Sequence, residues 1–144
     1  MLFAARCGAC GRPGASPCRG CHAALRPPRP EPPPYGLNGL VTLLAYEGPA
    51  RPLVARIKYR RQRQALRWLG AGLALRVLSR SVAVDLVTWA PTTGAHRRRR
   101  GFDQAELLAR VVAAELDVPA ELRANVVRVQ AGQIVREAAD ARPL

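Results

Sequence analysis

The chain has 144 residues, of which 49% are hydrophobic and 5% aromatic, so one small domain with an appendage is expected. Its 23 Lys and Arg residues against 10 Asp and Glu give a formal net charge of +13, which favours an anionic partner such as nucleic acid, a phosphorylated metabolite or a membrane surface. No apolar stretch is long enough to cross a membrane, and the N-terminus lacks the apolar region of a signal peptide, which predicts a cytoplasmic protein.

Two Cys-x-x-Cys pairs lie near the start of the chain, with seven residues between them. In the reducing cytoplasm such pairs are interpreted as metal ligands or redox groups before they are interpreted as disulfides. Four thiolates suit tetrahedral Zn²⁺, and a closed shell of four protein ligands predicts a structural ion, not a catalytic one. The predicted zinc ligands are Cys7, Cys10, Cys18 and Cys21. The spacing leaves open an iron–sulfur cluster, a redox dithiol and ligation by His22.

A proline-rich segment, residues 26–34, divides the chain. Proline fixes φ and removes a hydrogen-bond donor, so this segment is expected to form a stiff, extended spacer. The predicted organisation is therefore a zinc knuckle over residues 1–25, a linker over 26–34 and a second domain over 35–144.

The first half of the second domain predicts a hairpin followed by two helices. Residues 37–46 are apolar, with Asn38-Gly39 as a candidate turn. Pro49 suits the start of a helix, and a second helix near 64–79 places its leucines on one stripe.

The second half predicts a strand, a loop and a third helix. Residues 82–89 are short, apolar and rich in valine, which is typical of a buried strand. A polar loop over 91–101 follows, and a capping-box pattern from Asp103 to Glu106 opens a helix near 103–116. With a further candidate strand after Pro119, this order predicts an α/β fold with a parallel sheet covered by helices. Since only two core strands are recognisable and the pattern weakens after residue 124, the sheet is expected to be incomplete.

Two basic segments could bind anions. The first, residues 51–67, is rich in arginine and contains Tyr59; the second, residues 96–102, has four adjacent arginines before the third helix. Guanidinium groups present the fork geometry that phosphates accept, and a helix N-terminus adds backbone N–H donors. A solvated helix face is the alternative for the first segment, and a solvated loop is the alternative for the second. The predicted phosphate or nucleic-acid ligands are Lys58, Tyr59, Arg97, Arg98, Arg99, Arg100 and Gly101.

The order of these motifs resembles a known family. The cysteine pairs lead to Tyr46-Glu-Gly-Pro49 and Ile57-Lys-Tyr59, and then to a stretch that contains Arg-Gly-Phe-Asp-Gln over residues 100–104. This series is similar to the ComF family of competence-associated, phosphoribosyltransferase-like proteins, and the likeness covers about residues 5–118.

The resemblance implies a phosphoribosyltransferase-like α/β domain behind a zinc ribbon. Residues 91–100 would then hold the pyrophosphate side of phosphoribosyl pyrophosphate, and residues 97–101 would bind phosphate. It further implies a role in DNA uptake, with single-stranded DNA or a phosphorylated small molecule as ligand and a DNA-translocating helicase as a partner.

Two departures from the family pattern bear on activity. Asp103 stands where the family usually has Asn. The acidic loop Val-Asp-Asp-x-x-Thr-Thr-Gly, which contacts the ribose and the 5′-phosphate, is missing; residues 87–94 imitate it with Thr88 and Trp89 at the acidic positions. The sequence therefore predicts a truncated ComF-type protein that binds single-stranded DNA or phosphate without catalysis. An active phosphoribosyltransferase and a non-functional fragment are the alternatives.

Overall fold

The computed structural model describes residues 5–60 and 62–122. Over these ranges the chain forms five helices, of which α3 and α5 are the longest and pack against each other. In chain order they are α1 (Arg19–Ala23), α2 (Ala50–Arg60), α3 (Gln64–Leu78), α4 (Gly94–Arg100) and α5 (Gln104–Leu116).

The prediction of an α/β fold with a parallel sheet is wrong. The described residues form no sheet, and their only strand-like pairings are two isolated bridges. One bridge is parallel and joins Val87 to Ala120. Among the described residues it is the one strand-like pairing that the two predicted strands make with each other. A parallel sheet needs several strands with both faces covered, and the segment 82–89 finds no second neighbour: Val82 is 59% exposed.

The predicted hairpin over 37–46 is also absent. The chain turns earlier, at Tyr35-Gly36, where Gly36 has a φ of 83° and the Leu37 N–H donates to the Pro34 carbonyl over 3.1 Å. The Ala45 N–H donates instead to the carbonyl of Arg26 over 3.0 Å, which ties the far end of this long loop back to the start of the proline-rich segment.

The three predicted helices are confirmed as α2, α3 and α5. The α3–α5 crossing depends on small residues: a Cβ at Gly70 would lie 2.7 Å from the Cβ of Val111. Buried Ala74 and Ala113 continue this close contact. Gly70 lowers the helix propensity of α3, but its missing side chain permits the close approach of α5.

Helix α4 replaces the polar loop predicted over 91–101. Thr93 caps it by accepting a hydrogen bond from the His96 N–H over 3.4 Å, and Gly101, with a φ of 77°, ends it in the left-handed region. Arginine is a good helix former, but four consecutive arginines have no apolar periodicity, so the pattern of hydrophobic residues gave no helix signal.

One core joins the cysteine-rich segment to the helices. Cys7 and Leu53 are both 0% exposed and lie in the same cluster of buried residues. The complete cluster comprises Cys7, Ala9, Leu53, Ile57, Ala65, Leu66 and Phe102. The division into domains at residues 26–34 stays a prediction, but the interior of the knuckle is continuous with that of the helical body. Among the described residues, no helix has the length and apolar character that a membrane crossing requires.

Candidate metal centre

The first cysteine pair lies in a tight turn. The Cys7 N–H donates to the Arg12 carbonyl over 2.8 Å, and the Gly11 N–H donates to the Cys7 carbonyl over 2.9 Å. Gly11 adopts a φ of 82°, which an L side chain rarely tolerates. These bonds curl the backbone around the two sulfur atoms of the pair.

The second pair lies at the start of α1. Cys18 is the N-cap residue, and its carbonyl accepts the N–H of His22 over 2.8 Å. One helical turn therefore brings Cys21 back toward Cys18, so that each pair presents two sulfur atoms on one side.

The four sulfur atoms form one cluster. All lie within 4.8 Å of one another, those of Cys10 and Cys18 are 3.6 Å apart, and none is in a disulfide. A zinc ion with four Zn–S bonds of about 2.3 Å requires sulfur–sulfur separations of about 3.8 Å, so the cluster has the dimensions of a tetrahedral thiolate site. The prediction that these four residues can hold one metal ion is confirmed.

The pKa values of Cys7, Cys18 and Cys21 are shifted in different directions. Burial opposes ionisation of Cys7, but the backbone N–H groups of Cys10, Cys18 and Ala9 outweigh it and lower the pKa of Cys7 to about 6. Hydrogen bonding, first from the backbone of Cys21, also lowers the pKa of Cys18. Burial and the neighbouring sulfur atoms raise the pKa of Cys21 to about 12. Four adjacent thiolates repel one another, so full ionisation of this cluster needs a bound cation.

His22, the alternative ligand, does not belong to the group of converging ligand atoms. The group of converging ligand atoms consists of the four sulfurs. The His22 ring packs edge-on against Trp68 of α3, with ring centroids 5.4 Å apart. This contact connects the end of the knuckle to the helical body.

The knuckle docks on α2 through a short, specific contact. The Arg56 guanidinium donates from Nη1 to the Cys7 carbonyl over 3.1 Å. A Cβ at Gly8 would lie 2.8 Å from Cδ1 of Leu53, so the turn rests directly on the buried face of α2. The Gly8 N–H also donates to Ser16 Oγ over 2.7 Å, which ties the two halves of the knuckle together.

The predicted phosphate ligands separate into outward and inward groups. Arg97, Arg98 and Arg99 are exposed on α4, whereas Arg100 is 8% exposed and donates from Nη1 to Gln104 Oε1 over 2.9 Å. Gly101 forms the C-cap of α4. Their position before α5 agrees with the order predicted from the sequence.

The two basic segments meet at one place. The Cζ atom of Arg100 lies 5.6 Å from the centre of the Tyr59 ring, and Tyr59 is 65% exposed. Beside it, Arg63 stacks on Phe102 with Cζ 4.2 Å from the ring centre. Lys58, the other predicted ligand of the first segment, is half-buried near the end of α2. The C-terminal end of α2 therefore faces the junction of α4 and α5.

The start of α5 already holds an anionic group. Asp103 is buried, and its Oδ1 accepts the N–H groups of Ala105 and Glu106 over 2.9 and 3.4 Å. Its Oδ2 accepts the Thr92 N–H over 2.6 Å. The backbone donors expected to bind an external anion there are thus paired with the carboxylate of the chain itself. Phosphate binding by residues 97–101 stays a prediction that depends on their side chains.

Sequence reasoning missed the residues that connect the two regions. Arg56 belongs to the first basic segment, but it binds the backbone of the knuckle. Leu53 lies in the same helix, and nothing in the local spacing of residues indicates that the knuckle covers it. The partner in both cases lies in the first cysteine turn, and a local pattern contains no signal for a contact between such distant segments.

Comparison of the chain with protein-family models, with curated proteins and with solved structures finds no match. The similarity to the ComF family therefore depends on the motifs quoted above, and what it implies about function is a proposal.

Proposed function

We propose that this chain is a ComF-type protein that binds one structural Zn²⁺ and uses an arginine–tyrosine surface to bind single-stranded DNA, without transferase activity. The DNA-binding part depends on one observation: exposed Tyr59 lies against Arg100, where the two basic segments meet. We further propose that the exposed residues Tyr59, Arg60, Arg97 and Arg98, which lie on the two segments joined by this contact, form one binding surface, named the basic face.

Zinc is the ion that best fits the donor set. Four soft thiolates with the dimensions of a tetrahedron favour Zn²⁺ over the hard ions Mg²⁺ and Ca²⁺, which prefer oxygen ligands. Because the four protein ligands complete the coordination shell, the ion would have no open position for a substrate. Its role is to hold the knuckle, whose buried residue Cys7 belongs to the common core.

The basic face has the two components of a single-strand site. Arg60, Arg97 and Arg98 are exposed and supply positive charge for the phosphate backbone. The Tyr59 ring is 65% exposed, so a nucleic-acid base can stack on it beside the Arg100 guanidinium. Double-stranded DNA has no unstacked bases, so this combination favours single strands.

A purely structural role for these arginines needs a direct test. Arg97 and Arg98 lie in the last turn of α4 and Arg60 in the last turn of α2, where the partial negative charge of a helix C-terminus stabilises cations by about 0.3–1 kcal/mol. Such stabilisation would place arginines here even if no DNA were bound. Binding and stability must therefore be measured on the same variants.

The test is fluorescence anisotropy with labelled single-stranded DNA over a range of salt concentrations, using the zinc-loaded chain. We expect log K to fall linearly with log salt, because bound phosphates release counterions. In the double variant Arg97→Ala/Arg98→Ala the slope should lose about 1.4, or about 0.7 for each phosphate contact removed. Tyr59→Ala should weaken binding by about 1–3 kcal/mol with an unchanged slope, since stacking involves no phosphate.

The matched control is Arg76→Ala/Arg80→Ala. These two arginines are exposed at the end of α3 and just after it, so the control removes the same charge from another surface. An equal loss of affinity in both double variants would mean that DNA responds only to net charge, and the proposed site would be rejected. Displacement of the DNA by stoichiometric phosphoribosyl pyrophosphate would instead assign the basic face to a phosphorylated metabolite.

A further inference from the structure

The four cysteines differ in their access to solvent. Cys7 is 0% exposed and belongs to the core, while Cys18 and Cys21 are both half-buried and packed against it. Cys10 is exposed, and its sulfur lies 3.6 Å from that of Cys18. A small oxidant in solution therefore meets the cluster from the side of Cys10.

We propose that Cys10 and Cys18 are a peroxide-sensitive pair, whose oxidation to a disulfide releases the metal ion and loosens the knuckle from α2. The release step rests on the zinc site proposed above. Because a disulfide has an S–S bond of about 2.05 Å, the two sulfurs need to approach each other by about 1.5 Å. A movement of this size is within reach of rotation of the exposed Cys10 side chain.

Cys7 is protected from the same reaction by its contacts. Its sulfur accepts hydrogen bonds from the N–H groups of Ala9 and Cys18 over 3.4 and 3.3 Å. It is also packed in the cluster that contains Leu53. To form a disulfide, Cys7 would have to leave this core and would lose its packing there. Cys10 is exposed, so its sulfur can move without such a loss.

The chemistry balances with hydrogen peroxide as the two-electron oxidant. The Cys10 thiolate sulfur attacks one peroxide oxygen and the O–O bond breaks, which leaves a sulfenic acid on Cys10; the departing hydroxide takes a proton from the solvent and becomes water. The Cys18 thiolate sulfur then attacks the Cys10 sulfur and the S–O bond breaks as the disulfide forms; the second departing hydroxide also takes a proton from the solvent. The two sulfurs are oxidised, the peroxide oxygens are reduced to two waters, and the two protons consumed come from the solvent, because both cysteines begin as metal-bound thiolates.

Loss of two ligands leaves only Cys7 and Cys21 for the ion, which is too few for a closed site. The first cysteine turn, whose Cys7 carbonyl accepts a hydrogen bond from Arg56, is then no longer held by the metal ion. The contact between Gly8 and Leu53, which the same turn makes, is no longer held by the ion either. Oxidation at the exposed edge of the cluster would in this way reach the buried face of α2.

The experiment begins with the full chain, reduced and loaded with zinc, whose metal content is measured before any oxidant is added. A chain without zinc at this stage contradicts the proposed metal site, independently of the oxidation proposal. Hydrogen peroxide is then added, zinc release is followed with a chromogenic chelator, and remaining thiols are alkylated. We expect release of one zinc with the loss of two thiols per chain, and recovery of both after dithiothreitol and zinc are added.

Peptide mapping identifies the pair. Trypsin cuts after Arg6 and Arg19 but not between Arg12 and Pro13, so one peptide, residues 7–19, contains three of the cysteines. We expect this peptide to carry an internal Cys10–Cys18 disulfide with Cys7 alkylated, and Cys21 to be alkylated in its own peptide. A bridge that includes Cys7 or Cys21 as the main product would overturn the proposal. Retention of zinc until the thiols reach sulfinic acid would overturn it too.

Discussion

The knuckle and the arginine helix α4 are both built from residues repeated at short spacing, yet their side chains behave differently. In the knuckle, all four cysteine sulfurs converge within 4.8 Å. In α4, Arg97 and Arg98 are exposed while Arg100 is buried against Gln104 and Tyr59. Residues of one type form a single site in the first region and have separate roles in the second.

The difference follows from side-chain length and from what each group must bind. A cysteine sulfur is one bond from Cβ, so the backbone turn fixes its position, and a single ion can satisfy all four sulfurs. An arginine has a long, flexible side chain, and its direction depends on which tertiary partner is available. Spacing is therefore a reliable guide to the knuckle and a weak guide to the arginines.

Removal of the metal should have the largest effect. Structural zinc contributes about 10–16 kcal/mol of apparent binding free energy in small zinc domains, which is comparable with the whole stability of a domain. Chelation of the zinc-loaded chain should unfold the knuckle and lower the unfolding temperature of the helices, measured by circular dichroism. Re-addition of Zn²⁺ should restore both, and Mg²⁺ should restore neither, because thiolates are poor ligands for it. An unchanged melting curve after complete chelation would show that the knuckle and helices are independent.

Truncation of the residue beneath the knuckle should have the next largest effect. Leu53 is 0% exposed between α2 and the first cysteine turn, so Leu53→Ala should lower the free energy of unfolding by about 2–5 kcal/mol. Leu75→Ala, the same change at a site 67% exposed on α3, should stay within about 0.5 kcal/mol of the parent. Urea unfolding of the zinc-loaded proteins measures both. Equal effects at the two sites would contradict a shared core.

A single-atom change at the start of α5 tests the arginine region. In Asp103→Asn the amide can keep one oxygen for the Ala105 N–H, but its NH₂ group cannot accept the Thr92 N–H. The expected loss of stability is about 1–3 kcal/mol, since a buried donor is left without a partner. Glu106→Gln removes the same charge from the exposed pair with Arg110 and should cost about 0.5 kcal/mol or less. Equal stability of the two variants would contradict the role assigned to the carboxylate.

The smallest expected effect is in the proton count of metal binding. Since the knuckle is expected to unfold without the ion, its four cysteines should then have the pKa of free thiols, about 8.5. Zinc binding at about pH 7 should therefore release close to four protons. Calorimetry in buffers of different ionisation enthalpy measures the count. A clearly smaller count would mean that the metal-free chain keeps the folded knuckle, in which backbone N–H groups lower the pKa of Cys7 to about 6 against the opposing effect of burial.

The sequence predicted the helices well and the sheet poorly, for an identifiable reason. Helices α2, α3 and α5 depend on local apolar spacing and on caps such as Asp103, which are readable from short segments. A strand depends on a neighbour, and valine-rich residues 82–89 find only the bridge from Val87 to Ala120. Strand propensity indicates that a segment fits a sheet, but it does not supply the other strands.

The candidate sites divide in the same way. The four metal ligands were predictable because their spacing encodes the geometry. The contact between Tyr59 and Arg100 was not predictable, although both residues are predicted ligands. Only the packing of α2 against the α4–α5 junction brings the two side chains together. The burial of Arg100 was likewise unpredictable, since its environment is formed by residues distant in the chain.

Whether the four cysteines hold one metal ion can be measured by native mass spectrometry combined with thiol alkylation on the intact chain. We expect one zinc per chain, with all four thiols protected from alkylation until a chelator is added. A metal-free chain whose four thiols react at once would contradict it, and an iron-containing chain would assign the cluster to a different cofactor.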